Sequence, residues 1–404
     1  ASAVTNNNVG VAAPGFNCKY LPVKISSSSG SLTKAYEGIT YAADAGCQII
    51  NCSWGGPGGG SFGQDIIDYA TINMNALVVA AAGNDNSENT FYPASYRYVL
   101  SVASTGNNDT KSSFSNFGGF IDVCAPGSNI YAAQSNDTYQ LQSGTSMASP
   151  VAAGAAAIIK SHFPAYTGLQ VGEKLRVTCD NIYGISGNAA YLNKLGKGRI
   201  NMYRSLTESS PSVRILDIAT TDNHDNAFVV GDTLRITGDI TNYLDPTTNL
   251  TVTISATSPW VTIIDNSTTV GVLGTMAALN NNADPFQVKI NPNTPLNTKV
   301  TFRFTMTDGA YTDVQLYDLV LNVDYINVTI NQVSTTITSK GRIGYNGTGQ
   351  TEGLGFAYNG ENLLYEAGLM IGKSASAVSD NVRNDTGTDN DFQSTQGVQK
   401  LLPS

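Results

Sequence analysis

The segment Ser143-Gly144-Thr145-Ser146-Met147-Ala148-Ser149-Pro150, continued by Val151-Ala152-Ala153-Gly154-Ala155-Ala156-Ala157-Ile158-Ile159, constrains this chain more than any other. From residue 147 to 159 small or aliphatic side chains fall on every face. A helix apolar all round belongs inside a large core. Pro150 is expected in its first turn, where the missing N–H costs nothing. Ser146 then stands at the helix N-terminus, where unpaired backbone N–H groups and the positive end of the dipole favour negative charge. A serine there can be a plain N-cap. It can also be a nucleophile, with the helix start stabilising the oxyanion that its attack on a carbonyl creates.

The residues ahead of this helix alternate. Residues 20–25 read as a strand, 32–45 as a helix stopped by Gly46, 48–53 as a strand, 62–74 as a helix and 76–82 as a buried strand. Strand and helix in turn predict βαβ units and an α/β parallel sheet covered on both faces. In such sheets ligands sit at the C-terminal ends of strands. Those ends carry Ser53-Trp54-Gly55-Gly56-Pro57-Gly58 and Gly83-Asn84-Asp85.

The string Gly144-Thr145-Ser146-Met147-Ala148-Ser149-Pro150 resembles the nucleophile motif of the subtilisin-like serine proteases. It is not an α/β-hydrolase elbow, which needs glycine where Ala148 stands. Ile49-Ile50-Asn51-Cys52-Ser53-Trp54-Gly55-Gly56, Val78-Val79-Ala80-Ala81-Ala82-Gly83-Asn84 and shorter segments at 91–94, 113–116, 122–127 and 196–201 are similar to the same family in kind and order. The resemblance spans residues 1 to about 206. It implies a three-layer parallel-sheet fold, Ser146 as nucleophile and Asn84 as oxyanion donor. It further implies that Ser53, Trp54, Gly55 and Gly56 pair with or border an extended substrate, the β-addition mode of peptide capture. Ala81, Ala82 and Gly83 are expected to leave the wall of a side-chain pocket open, which Trp54 narrows unless it is a structural tryptophan. Residues 5–11 resemble a family calcium site, with Thr5, Asn7, Val9 and Val11 as oxygen donors for a hard cation. No cofactor is expected for catalysis.

A serine nucleophile needs a base and a carboxylate that orients it. The chain has two histidines, His162 and His224, and His162 falls about 24 Å along the helix from Ser146 at 1.5 Å per residue. The resemblance puts the aspartate and histidine before the serine, and residues 1–11 resemble the stretch just after the histidine. An N-terminal segment of the same protein is therefore expected as a partner of these 404 residues. Alone they are expected to expose strand edges, to aggregate, and to resist labelling by serine-directed phosphonates. The intact parent is expected to be a secreted serine endopeptidase acting on proteins or peptides. The competing reading is a secreted, non-catalytic binding or adhesion module on the same fold.

The net charge of −9 with only 13% charged residues, against about 25% usually, fits a secreted protein and argues against nucleic acid as a partner. The longest apolar runs, 76–82 and 151–159, are far shorter than the roughly 18 residues that span a membrane. Five cysteines cannot all pair internally, and Cys52 and Cys124 lie in apolar strand patterns; a Cys18–Cys47 bridge is one option. The texture changes near residues 209–211. Strands expected at 213–218, 233–241, 250–256, 260–264, 286–290, 299–307 and 312–323, with turns between and no helix, describe a β-sandwich. The domains expected are residues 1–207, 208–324 and a second β-rich unit over 325–404. The acidic run at 380–391 reads as a solvated loop.

Overall fold

The parallel sheet is present in the first half, with its apolar strand buried on both sides. A computed structural model describes residues 1–380 apart from 2, 28–30, 137, 223, 225, 226, 340, 345–352, 360, 365, 369, 375 and 376; most of the acidic run at 380–391 lies outside the described residues. Helix α1 (Ala35–Asp44) buries Ile39, Ala42 and Ala43, and Gly46 ends it with φ +80°, a conformation open to glycine. Strand β1 (Ile49–Cys52) follows, then α2 (Ser61–Asp68), which widens into a π-type turn over Tyr69–Asn73. Strands β2 (Leu77–Ala81), β3 (Val99–Thr105) and β4 (Val123–Pro126) complete a parallel sheet in the order β1-β2-β3-β4. Its register sets Ile49 opposite Leu77, Val78 opposite Val99 and Val102 opposite Val123.

The hairpin β5 (Ile130–Ala133) and β6 (Tyr139–Gln142) leads into α3 (Thr145–His162), followed by α4 (Gly168–Val177) and α5 (Met202–Thr207). Leu77 and Val79 pack with Ala152, Ala156 and Ile159 of α3 and with Val171 and Leu175 of α4. Val78 and Ala80 point the other way, onto Ile39, Ala43, Ile67 and Ala70. Both faces of β2 are thus covered, which is why its sequence does not alternate. No described helix is long and apolar enough to cross a membrane.

Three readings of this half are corrected. Residues 20–25 form no regular strand: β1 is the edge of the described sheet, no described strand pairs with them, and Tyr20 and Leu21 are exposed. Helix α3 begins at Thr145, so Pro150 lies inside it, in the second turn rather than the first. Cys18 and Cys47 are separate free thiols.

Strands β7 (Val213–Thr221), β8 (Thr233–Asn242), β9 (Leu250–Ser255), β10 (Val261–Asp265), β11 (Ser267–Gly271), β12 (Ala277–Asn280), β13 (Phe286–Ile290), β14 (Thr298–Asp308) and β15 (Tyr311–Leu321) form two antiparallel sheets. β7, β8, β10, β12 and β13 make one; β9, β11, β14 and β15 make the other. On β8 every second residue is buried, and Leu234, Ile236 and Ile240 share one cluster with Val252, Ile254, Phe302 and Phe304 of the other sheet. β11 and β12 are additional to the expected strands; both are short, β11 is mostly Ser, Thr and Gly and β12 is largely solvent-facing, so they carry little apolar pattern. From β16 (Tyr325–Ile330) on, the described residues form further short antiparallel strands around β17 (Val333–Thr338).

A buried ion cluster joins the two halves. Arg176 of α4 donates to Glu173 at 2.7 Å and pairs with Asp313 of β15 at 2.6 Å, both Arg176 and Asp313 being almost wholly buried. Arg214 of β7 reaches Glu173 at 2.9 Å and also pairs with Asp122, while Lys197 lies 3.3 Å from Asp313. A cavity of about 330 Å³, bordered by Arg176, Cys179, Tyr183 and Leu316, lies at this junction and not at Ser146. Burial alone would push the Asp313 carboxyl up; the charges of Arg176, Lys197 and Arg214 outweigh it and hold the group below the usual carboxylate range. A depressed pKa contributes stability above the unfolded value and loses it as pH falls through the folded one. Asp313→Asn is therefore expected to cost about 3 kcal/mol in urea unfolding at neutral pH, because it leaves Arg176 short of its counter-charge, and to flatten the acid limb of the stability curve. A loss of less than about 1 kcal/mol would contradict this.

Candidate active site

The site lies at the C-terminal ends of the parallel strands, as the topology requires. β1 runs out into Ser53, β2 into Ala82-Gly83-Asn84, and Gly127 just beyond β4 accepts the N–H of Gly144 at 2.8 Å, which sets the start of α3 beside them. The proline in the second turn of α3 has a consequence here. Pro150 has no N–H to give the carbonyl of Ser146, its partner four residues back. The Ser53 hydroxyl takes that carbonyl instead, at 2.9 Å, and the Ser146 hydroxyl donates back to the Ser53 carbonyl at 3.1 Å. Asn51 extends the tie: its Nδ2 donates to Ser53 Oγ at 2.9 Å, and its Oδ1 accepts from the buried Ser149 hydroxyl at 2.7 Å.

Asn84 is fixed by Thr145. Its Oδ1 accepts both the Thr145 N–H at 2.9 Å and the Thr145 hydroxyl at 3.0 Å. The backbone donor can only face an oxygen, so the orientation of the amide is set and Nδ2 is the outward end. A Cβ built on Gly144 would lie 3.7 Å from the N of Ser146 and 3.8 Å from Asn84 Nδ2, so the two donors border the same small space. Donors converging on one point, at the start of a helix, can stabilise a carbonyl oxygen that gains charge.

The loop carrying Asn84 is built on Asn116, which is almost wholly buried. Its Oδ1 accepts from the N–H groups of Asp85 at 2.8 Å and Ser87 at 3.2 Å, and its Nδ2 donates to the Ala82 carbonyl at 2.9 Å. Gly83 has φ +101°, and a Cβ there would come within 2.3 Å of Asn116 Nδ2, so no larger residue fits. The buried Lys111 donates to Asn86 at 2.8 Å and to the carbonyls of Ser112 and Ser115. Burial lowers the pKa of its ammonium.

The sequence-derived residues fall as follows. Ser53, Asn84 and Ser146 come together; Ala81, Ala82 and Gly83 are buried behind them. Gly56 pairs with Tyr92 as an antiparallel bridge, with N···O distances of 2.9 and 2.8 Å, and Gly55 lies against Phe91. Trp54 packs edge-on to Tyr36, centroids 5.5 Å apart, on the α1–α2 cluster. His162 closes α3 at the end opposite Ser146, its ring on Phe163, and His224 lies in the loop between β7 and β8. Burial pushes the Cys52 thiol up to about 12, so it is no competing nucleophile. In the N-terminal loop Asn7 Oδ1 accepts from Val9 N–H at 3.1 Å and the Thr5 hydroxyl donates to Phe16. Val11 follows on the same loop, and the sequence holds no Asp or Glu before Glu37. Among the described residues no group of three His, Cys, Asp or Glu stands together.

The positioning residues Thr145, Asn116, Lys111 and Asn51 were not found from sequence. Thr145 and Asn116 stand inside recognised segments, but a polar side chain that folds back on a loop leaves no periodic trace. Asn116→Ala removes three hydrogen bonds from a dry site and is expected to cost about 2–4 kcal/mol and to loosen the Asn84 loop. Hydrogen exchange at Asp85 and Ser87 checks it: unchanged protection would contradict the assignment.

Comparison with known proteins agrees with the geometry. The model of the subtilase family matches residues 1–198. Thermitase of Thermoactinomyces vulgaris is 42% identical over 208 residues, 51% of this chain and 71% of thermitase. A thermophilic serine proteinase of Bacillus sp. (strain AK1) is 38% identical over 209 residues, so the chain spans only 50% of that relative's length. Among solved structures, a protease of Pseudoalteromonas arctica PAMC 21717 is 31% identical over 51% of this chain and 67% of its own, with a TM-score of 0.44. On the match to thermitase and the family model, the chain belongs to the subtilase family.

Proposed function

We propose that the protein is an extracellular serine endopeptidase that cleaves protein or peptide substrates through an acyl-enzyme on Ser146. The single observation that carries this reading is the shared space between the Ser146 N–H and Asn84 Nδ2. The hydroxyl oxygen attacks the scissile carbonyl, its proton passes to a base, and the carbonyl oxygen becomes the oxyanion held by the two donors. Collapse expels the amine, and water repeats the sequence on the ester. Ser53, Trp54, Gly55 and Gly56 border the substrate backbone. Neither His162 nor His224 serves as the base in this reading, so the histidine and its aspartate come from an N-terminal segment outside these 404 residues. The units proposed are a protease domain at 1–207, a β-sandwich at 208–324 and a second β-rich unit at 325–404.

One observation favours a second reading. The Ser146 hydroxyl donates to the Ser53 carbonyl rather than to a base, as it could in a non-catalytic module that binds extended peptides. Kinetics separate the two. Asn84→Ala in the intact protein is expected to lower kcat by about 10²- to 10³-fold with KM little changed, the magnitude being that known for the same donor in subtilisin. Peptide binding with no hydrolysis and no phosphonate labelling would favour the second reading, and an unchanged kcat would remove Asn84 from the mechanism.

Calcium at Thr5, Asn7, Val9 and Val11 is also proposed. These residues offer neutral oxygens, and the carboxylate of such a site is expected from the N-terminal segment. Millimolar calcium should raise the melting temperature and chelation should reverse it; no shift would dismiss the site.

A further inference from the structure

We infer that Phe91 plugs the pocket beside Ser146 and restricts the residue before the scissile bond to a small side chain: glycine, alanine or serine. The inference rests on the Ser146 site proposed above. In that site the side chain of the attacked residue must enter between the Ser53-to-Gly56 segment, which borders the substrate backbone, and the Ala81-to-Gly83 segment, which leads to Asn84. The Phe91 ring stands in this gap. A Cβ built on Gly55 would lie 2.3 Å from Phe91 Cε1, and one built on Gly83 would lie 3.0 Å from Cγ and Cδ2. Cε1 and Cδ2 are on opposite sides of the ring, so the ring touches one glycine with each edge. The gap is one ring wide, and protein interiors packed this closely do not admit a second large side chain without displacing the first.

The ring has little freedom to leave. The N–H of Phe91 donates to Ser95 Oγ at 2.9 Å, and its carbonyl accepts the Ser95 N–H at 2.9 Å. The next residue, Tyr92, is tied to Gly56 on both sides of the bridge. Both glycines face the ring without side chains, so the wall that looks open at Ala81, Ala82 and Gly83 is closed by a residue from another loop.

The test is binding and cleavage of acetyl-Ala-Ala-Ala-Ala-p-nitroanilide and acetyl-Ala-Ala-Ala-Phe-p-nitroanilide, in which the fourth residue precedes the scissile anilide bond, by the intact protein, with Phe91→Ala and the milder Phe91→Leu as variants. Wild type is expected to favour the alanine peptide tenfold or more, Phe91→Ala to reverse that preference, and Phe91→Leu to fall between. A merely structural role would weaken both peptides alike and leave their ratio unchanged. Equal use of the two peptides by wild type, or an unaltered ratio in a variant that melts like wild type, overturns the inference. Binding that shows the preference without hydrolysis keeps the plug while the endopeptidase reading falls; no binding of either peptide overturns both.

Discussion

The burial of helix α3 against the parallel sheet is the constraint on which the rest of the molecule depends. Its alanine face lets β2 and β3 approach closely, and so its N-terminus must emerge where those strands end. Pro150 then leaves the Ser146 carbonyl without its helical donor. Ser53 supplies the missing bond, and one backbone defect couples the nucleophile candidate to the segment proposed to border the substrate. Had an ordinary residue stood at 150, the helix would be satisfied within itself and Ser53 would have no reason to face it.

The second half is attached by charge as well as by apolar contact. Glu173 and Arg176 belong to α4, Arg214 and Asp313 to the strands beyond. Burying such a cluster is costly unless every member is paired, so it favours one arrangement of the two halves over any other. Removal of the β region would strand Arg176 without Asp313, so the second half contributes to the stability of the first.

Much of this was legible in the sequence. The run at 76–82 signals a strand covered on both faces, and the register confirms it residue by residue. Ser146 and Asn84 follow from motif and chain order, and they come together. The start of α3 was missed because Pro150 usually marks a first turn, and here the penalty is offset by a contact between Ser146 and Ser53, 93 residues apart in sequence. Residues 20–25 have strand composition, but composition cannot say whether a neighbour exists. Phe91 shows the same limit from the other side: Ala81, Ala82 and Gly83 read as an open wall, and only the three-dimensional fold brings in the ring that fills it.

The central claim is that Asn84 Nδ2 and the Ser146 N–H act on one oxygen. A crystal structure of the intact protein after reaction with a peptidyl phosphonate tests it most directly. The account predicts an adduct on Ser146 whose phosphoryl oxygen lies about 2.7–3.1 Å from both donors. An adduct on another serine, or an oxygen on Ser146 turned away from Asn84, would contradict it.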